Sequence, residues 1–449
     1  MRPKTDPEPN PPIRNPQSAI RNRLSLDPEE LSEKVAFDFG FSRRTFVQLL
    51  STGLFVAVNV APALAQRRGG SFGGTRIRNI AARIHIGKDG IITVMAGKVE
   101  IGQGARAELT QAAAEELFVP ASQIQMILSD TALVPDDGMT AGSGTTPRTV
   151  PAVRQGAAAA RRLLVQLACQ RWNVEAEAVE VHDGKITHPA SKRSVTYAEL
   201  AQSDEAVKAF GQPPPADVIL SSLKDWKVLG TSVARPNGRE IVTGAHKYAS
   251  DFIRPGMLHG KVLRPPSFGA KLVSIDLEPA KAIKGAVATQ DGQFVGVAAP
   301  TAFGAEQAVE AIAKTAKWET APHPSSKELF DHLRKHVQGG MPANPHAEEM
   351  AQAHKSLKQT YNVAYAQHAP METRVALAEW VDGKLTVWTS TQGPFGYQGE
   401  LARTFRLSNE NVRVIVPDSG GGFGGKHTAE AAIEVAKLAK GVGKPVLLK

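Results

Sequence analysis

The sequence predicts an α/β fold of the mixed, α+β kind, and three observations carry that prediction. Residues 412–440 follow the order strand, glycine-rich loop, helix. Residues 91–117 repeat the same order, with a β-hairpin signal at their start. Residues 258–314 alternate short apolar strands with one helical pattern. We therefore expect sheets covered by helices, with glycine loops at the strand ends.

Composition limits the number of domains and the kinds of chemistry. A chain of 449 residues, 42% of them hydrophobic, can bury two to four cores. The net charge of +9 comes from scattered basic residues without interleaved aromatics, so no nucleic-acid partner is expected. The single Cys169 excludes a disulfide framework and an iron–sulfur centre within this chain. It is predicted to be a small buried hydrophobe, and any electrons must leave through another polypeptide.

The loop at 420–426 holds five glycines around Phe423 and ends in Lys426. Glycines let the backbone come close to a ligand, and the start of a following helix attracts anions. The loop fits the frame of a nucleotide-binding P-loop, but His427 stands where a Ser or Thr must hold Mg²⁺. The residues alone leave three interpretations open: a P-loop-like nucleotide site, another ligand site, and a tight turn that packs a helix on a strand.

The segment that begins Thr391-Gln392-Gly393, taken with residues 412–427, resembles the molybdopterin-binding large subunits of the xanthine dehydrogenase and aldehyde oxidase family. The exported branch, typified by isoquinoline 1-oxidoreductase beta subunits, is the closer match. The resemblance implies a molybdenum–molybdopterin cofactor. It places Gln392 beside the metal and wraps the loop of Gly422, Phe423 and Gly424 around the molybdenum end of the cofactor. His427 becomes a candidate for orienting the substrate.

A second segment, 97–104, resembles the family's Met-Gly-Gln-Gly motif, with Ile101 in place of Met. By that resemblance Gln103 and Gly104 contact the pterin. Downstream, a hydroxyl-rich loop precedes a long helical pattern at 152–172. Its residues alone favour a Ser/Thr loop with a helix cap, whereas the resemblance implies a cradle for the pterin phosphate, formed by Thr140, Ser143, Gly144 and Thr145. Because this region precedes the glycine loop, the segment order also resembles the exported branch.

The organisation along the chain is predicted as four parts. Residues 1–66 form a disordered leader with a twin-arginine signal at Arg43 and Arg44, cleaved after Ala65, so the protein is expected in the periplasm. A membrane anchor is the alternative. The three remaining parts are a permuted molybdopterin-binding region (77–210), a small α/β hammerhead domain (225–320) and a molybdopterin-binding domain that is incomplete at its C-terminus (355–449).

Three further polar residues have competing interpretations. His332 and His336 lie four apart on a predicted helix at 326–337, but their charged neighbours favour a solvated face over a metal site. No metal ligand is therefore predicted among the side chains. Glu372 is expected either near the active site or as an acceptor that holds the loop in place, with neither favoured.

The resemblance implies hydroxylation of an electron-poor carbon, with water as the oxygen source. Aldehydes and N-heteroaromatic compounds fit as substrates, and two electrons pass to a small [2Fe–2S] subunit. A cytochrome acceptor and the cytosine dinucleotide form of the cofactor are options that it leaves open. Relatives are expected to continue for several hundred residues past Lys449, including the glutamate base. A non-catalytic remnant of the family is therefore the main alternative.

Overall fold

A computed structural model describes residues 82–213, 218–340 and 342–449 of the chain. The predicted leader and twin-arginine signal lie outside the described residues. The described strands are β1 (Ile84–Ile86), β2 (Ile92–Ala96), β3 (Ile124–Leu128), β4 (Glu180–His182), β5 (Lys185–His188), β6 (Arg193–Thr196), β7 (Leu258–Val262), β8 (Lys271–Ser274), β9 (Val287–Asp291), β10 (Phe294–Ala299), β11 (Lys317–Glu319), β12 (Ala376–Val381), β13 (Lys384–Thr389), β14 (Val412–Ile415) and β15 (Val446–Leu448).

Of the ten α-helices in the described residues, five have twelve or more residues and five have seven or fewer. They are α1 (Ala105–Leu117), α2 (Val150–Trp172), α3 (Tyr197–Leu200), α4 (Asp204–Phe210), α5 (Gly238–Thr243), α6 (Ala302–Ala313), α7 (Leu329–Lys335), α8 (Ala347–Ala351), α9 (Pro394–Phe405) and α10 (Glu430–Val442). A π-helical turn, Thr145–Thr149, leads into α2. Across the described ranges, no helix combines the length and apolarity needed to cross a membrane.

The first sheet has the order β1-β2-β3. β1 and β2 form the predicted antiparallel hairpin, and β3 runs parallel to β2. A parallel pair requires a crossover connection, which α1 supplies. Most alanines of α1 and α2 are buried, and the two helices pack against each other. Their small side chains let the helices approach closely, and the shared core extends over the three strands.

A second sheet of seven strands has the order β14-β13-β12-β15-β7-β10-β9. β15 pairs in parallel with β7, so strands from the predicted hammerhead domain continue the sheet of the C-terminal region. This sheet has no break between the predicted hammerhead domain and the predicted C-terminal domain. The division into these domains stays a prediction. Two smaller sheets, β4-β5-β6 and β11-β8, are separate in their hydrogen bonding, and Leu272 of β8 shares a core with Val295 and Val297 of β10. Together the elements confirm the α/β class.

Helix α10 packs across the centre of the large sheet, over β12, β15 and β10. Gly260 in β7 makes this packing feasible, because an added Cβ would lie 2.8 Å from the side chain of Leu438. The apolar face of α10 includes Val435, Ala436 and Leu438, all fully buried. Burial of this face fixes α10, and with it the segment that precedes the helix.

The two sheets meet at the edge of β14. The Thr131 N–H donates to the Val414 carbonyl at 3.0 Å, and the Val416 N–H donates to the Ser129 carbonyl at 3.1 Å. The fully buried carboxylate of Asp130 pairs with Arg413. Asp130 and its neighbours thus add a short antiparallel ladder to the large sheet. This junction brings the segments after β3 and after β14 together.

Candidate functional site

Gln392 is the residue that joins the predicted binding segments. It lies just after β13 with only 5% of its surface exposed. Its side-chain Nε2 donates to the Thr140 carbonyl at 2.9 Å, and its Oε1 accepts from the Gly424 N–H at 3.2 Å. Its backbone accepts from the Thr140 N–H at 2.8 Å and donates to the Lys426 carbonyl at 3.2 Å. One glutamine therefore fixes the hydroxyl-rich loop to the glycine loop.

Thr140 continues this chain of contacts towards the Gly-Gln-Gly turn. Its hydroxyl accepts from the Val99 N–H at 2.9 Å, and the Val99 carbonyl accepts from Gln103 Nε2 at 2.9 Å. Gln103 itself is exposed, and its Oε1 accepts from the Ile101 N–H at 2.7 Å. Gln103, Thr140, Gln392 and Gly424 are thus linked in one hydrogen-bonded path. The structure brings together residues that sequence analysis assigned to one cofactor.

The glycine loop needs its glycines for different reasons. A Cβ on Gly422 would lie 2.4 Å from Gln392 Oε1, so only glycine lets the glutamine approach. Gly424 has φ +95°, a left-handed value that glycine adopts without strain. Phe423 also has a positive φ, 52°, and its side chain is 72% exposed. The loop therefore presents an aromatic ring outward and keeps its backbone against Gln392.

Lys426 points inward. It is 1% exposed, and its Nζ donates to Glu372 Oε2 at 2.9 Å and to the Ser390 hydroxyl at 2.7 Å. Burial lowers the pKa of this ammonium below its usual value, and Glu372 partly opposes that effect. A P-loop lysine must reach a phosphate, and this one is committed to a largely buried carboxylate. The P-loop-like interpretation is therefore disfavoured.

Glu372 acts as the acceptor that holds the loop. Besides Lys426, its Oε2 accepts from the Gly420 N–H at 2.8 Å and from the Ser419 hydroxyl at 3.1 Å. Its other oxygen, Oε1, is buried and has no hydrogen-bond partner in the described chain. Of the two roles expected for Glu372, the contacts give it the loop-holding one.

The helix after the loop is separated from the loop glycines by several residues. Helix α10 begins at Glu430, several residues beyond Gly425, and the Ala429 N–H donates to Glu400 Oε2 at 3.2 Å. The Gly425 N–H closes a turn on the Gly422 carbonyl at 2.8 Å. These amides have protein acceptors, so the glycine loop does not direct them at an anion.

The amides of the turn at 102–104 also have an acceptor within the protein. The carboxylate of Glu100, 1% exposed, accepts from the Gly102 N–H at 2.8 Å and from the Gly104 N–H at 3.0 Å. Gly104 is the N-cap of α1 with φ 91°. Sequence analysis missed Glu100; its signal was a carboxylate two residues before the first glycine of the turn.

The hydroxyl-rich loop divides into buried and exposed parts. Ser143 is exposed with φ 53°, while Thr145 is buried at the start of the π-helical turn. The Gly144 N–H donates to the Ala141 carbonyl at 3.1 Å, so the turn itself uses this amide, and the phosphate cradle stays a prediction. The loop before it is anchored by a buried ion pair between Arg83 and Asp137, which sequence analysis also missed.

The predicted histidines stand apart from these contacts. His427 is exposed beside the buried Lys426, a position open to a bound molecule. His332 and His336 stack at 4.0 Å on and beside the surface helix α7. Within the described ranges, no three His, Cys, Asp or Glu side chains cluster in a way that could hold a metal ion.

Two family models, each described as a molybdopterin cofactor-binding domain, match this chain. One matches residues 50–246 and the other residues 327–449. The matched ranges contain all the predicted site residues, and together with the fold they define a molybdopterin-binding protein. The chain is therefore a molybdopterin-binding subunit of the xanthine dehydrogenase family.

Individual relatives agree with this assignment. The chain is 27% identical over 420 residues to a nicotinate dehydrogenase subunit of Pseudomonas putida, covering 89% of this chain and 34% of that protein. It is 25% identical over 425 residues to the beta subunit of the Brevundimonas diminuta isoquinoline 1-oxidoreductase, covering 82% and 53%. Over 260 residues it is 28% identical to the nicotinate dehydrogenase large molybdopterin subunit of Eubacterium barkeri, covering 50% and 61%. The chain thus spans between a third and two thirds of these relatives.

The residues present fit a pterin group in one specific respect. Gly102, Gly104 and Gly142 all have positive φ, and no atom lies within 4 Å of the place where a Cβ would stand. These glycines therefore border open space beside the path that joins Gln103 to Gln392. A flat ring system can approach such a backbone closely, because no side chain projects from it.

Proposed function

We propose that this chain is part of a molybdenum hydroxylase that oxidises an aldehyde or an N-heteroaromatic carbon, with water as the oxygen source. The observation that carries the proposal is the side chain of Gln392, which joins Thr140 to Gly424 and so assembles the segments assigned to the cofactor. When bound, the molybdopterin cofactor would supply the redox chemistry of the reaction.

The chain's own residues would bind the cofactor and orient the substrate. The exposed Ser143 hydroxyl would donate a hydrogen bond to the cofactor, and Gln103, whose Nε2 donates to the Val99 carbonyl, would use its second N–H in the same way. Phe423 and His427, both exposed, would lie towards the substrate. His427 would orient a polar group of the substrate by a hydrogen bond, in keeping with the two nitrogen atoms of its ring.

The protein partners are inferred from where the electrons released by the reaction must go. Oxidation of the carbon releases two electrons, and Cys169 as the only cysteine provides no iron–sulfur centre in this chain. A small [2Fe–2S] subunit would accept them, with a cytochrome as one option for the next acceptor. The cytosine dinucleotide form of the cofactor belongs to the same proposal. The names of the relatives, nicotinate dehydrogenase and isoquinoline 1-oxidoreductase, favour an N-heteroaromatic substrate.

The first experiment is purification of the protein from its native host, with molybdenum measured by mass spectrometry and all co-purifying chains identified. We expect about one molybdenum per chain together with an iron–sulfur subunit. Turnover of nicotinate or isoquinoline in ¹⁸O-labelled water should then place the label in the product. Metal-free protein would favour the non-catalytic remnant, and label arriving from O₂ would overturn the proposed reaction.

We propose further that the protein is exported to the periplasm by the twin-arginine route, on the basis of Arg43, Arg44 and the alanines that precede Gln66. Replacing both arginines by lysine in the native host should move the protein to the cytoplasmic fraction. Unchanged fractionation of that variant would contradict the export proposal and leave the catalytic one standing.

A further inference from the structure

A carboxylate of the protein itself, that of Glu100, occupies the anion position at the N-terminus of α1. Helix starts carry partial positive charge and unpaired N–H groups, which attract anionic groups. Here the Glu100 carboxylate takes that position, since it accepts from Gly102, Gly104 and, at 2.9 Å, from the Arg106 N–H. The Arg235 guanidinium lies 3.3 Å from the same carboxylate. Glu100 is therefore surrounded by donors on several sides.

Arg106 extends this arrangement towards the glycine loop. Its guanidinium pairs with the Asp418 carboxylate at 2.7 Å and donates to the Met126 carbonyl at 2.8 Å. Asp418 is buried and also accepts a hydrogen bond from Asn237. The hydrogen bond from the Arg106 N–H to Glu100 thus fixes Arg106. The Arg106 guanidinium in turn fixes Asp418, two positions before the first loop glycine.

The segment 418–420 lies between Glu100 and Glu372. On one side, the Ser419 N–H donates to the Glu100 backbone carbonyl at 2.8 Å. On the other, the Ser419 hydroxyl and the Gly420 N–H donate to the Glu372 carboxylate at 3.1 and 2.8 Å. Polar networks of this kind in a low-dielectric interior strengthen one another and are sensitive to the loss of any member.

We propose that Glu100 is a positioning residue, whose carboxylate fixes the glycine loop at 418–426 through Arg106 and Asp418. The amides of the Gly-Gln-Gly turn are then bound by the Glu100 carboxylate of the protein itself, and a cofactor phosphate does not bind there. This inference goes beyond the proposed function, because the contacts that support it involve no cofactor and hold whether or not the chain is catalytic.

The test is hydrogen–deuterium exchange of the full-length chain, comparing Glu100→Gln with Glu108→Gln. Both remove one carboxylate near the start of α1, but Glu108 accepts from the Thr146 hydroxyl at 2.5 Å and, in the part of the chain that the structure describes, makes no hydrogen bond to residues 418–426. For Glu100→Gln we expect amide exchange at 418–426 to increase at least tenfold, and for Glu108→Gln no change there. An increase confined to residues 100–108 would overturn the proposal.

A second variant separates positioning from a general loss of structure. Glu100→Ala leaves a space lined by three N–H groups and a guanidinium that a small carboxylate can fill. Sodium formate should slow exchange at 418–426 towards the unmodified rate, and sodium chloride at equal ionic strength should not. Equal effects of the two salts would contradict the proposal that a carboxylate at this position fixes residues 418–426.

The same coupling is measurable from the loop end if the Glu100 variants do not fold. Asp418→Asn keeps the shape of the side chain and removes its charge. Because coupling between two sites is reciprocal, exchange of the amides at 102–106 should increase at least severalfold. Unchanged exchange at those amides would overturn the proposal.

Discussion

The side-chain amide of Gln392 donates to the Thr140 carbonyl at 2.9 Å, although 252 residues separate the two in sequence. The same side chain accepts from the Gly424 N–H, so a single residue holds two loops from different regions of the chain. Both bonds are at least partly buried, and buried polar groups that lose their partners cost more than the bonds themselves contribute. The integrity of the candidate site therefore depends on this residue.

Gln392→Met should destabilise the protein by about 2 to 4 kcal/mol, because it leaves the Thr140 carbonyl and the Gly424 N–H without partners. Urea unfolding provides the measurement. Gln202→Met is the matched control, since Gln202 is exposed and its side chain donates to the nearby Ala198 carbonyl. A loss below about 1 kcal/mol at position 392 would show that the bridge matters little.

Gly422→Ala should cost about 1 to 3 kcal/mol, because the new methyl group would lie 2.4 Å from Gln392 Oε1 and force that side chain away. Gly396→Ala is the control: Gly396 lies exposed in α9, with no atom within 4 Å of the added Cβ. There alanine should stabilise the helix by about 0.5 to 1 kcal/mol. Melting temperatures that shift in the same direction for both variants would contradict the close approach.

Local patterns predicted the order of the elements well, and β2 and α1 follow the order of strand, loop and helix expected for residues 91–117. Periodicity depends on which face of an element is buried, and both elements pack one face into the first core. The pairing of β15 with β7 could not be predicted in this way, because a short apolar strand carries no information about its neighbour. The same limit hid the continuous seven-stranded sheet.

The site was predicted less completely than the fold. The resemblance selected Gln392 and Thr140, and their mutual hydrogen bonds then emerged from the structure. A glycine turn at a helix start indicates an anion without indicating its source, so Glu100 was not foreseen. Likewise Lys426 has the same sequence position in either interpretation of the loop, and only its burial against Glu372 distinguishes them.

Lys426→Met should destabilise the protein by about 3 to 5 kcal/mol, since it leaves the largely buried Glu372 carboxylate without its cation. Adding Glu372→Gln removes that unpaired charge, so the double variant should lose less than the two single variants combined, by about 1 to 3 kcal/mol. Lys261→Met breaks a partly exposed pair with Glu306 and should cost under about 1 kcal/mol. Additive effects at 372 and 426, measured by urea unfolding, would show that the two side chains do not act as a pair.

Tyr197 provides a prediction on pH dependence. Its side chain is 1% exposed and its hydroxyl donates to the Leu117 carbonyl at 3.0 Å, at the end of α1. Burial raises the pKa of this phenol well above its ordinary value near 10. Below that value both the folded and the unfolded chain keep the proton, and the contribution of Tyr197 to stability is complete. As pH rises further, the unfolded chain loses the proton first, so stability falls by up to about 1.4 kcal/mol per pH unit.

Tyr197→Phe should therefore lose about 1 kcal/mol at neutral pH, because the Leu117 carbonyl loses its donor, and should lack this part of the alkaline decline. Thermal unfolding of both proteins from pH 8 to 11 measures the difference, and groups common to both cancel in the subtraction. Plotted against pH, the melting temperatures of the two proteins should converge above pH 10 and then cross. Tyr365→Phe, at a tyrosine that is 79% exposed, should run parallel to the unmodified protein throughout. Parallel behaviour of Tyr197→Phe as well would mean that the buried phenol ionises as easily in the folded chain as in water, contrary to its burial beneath α1.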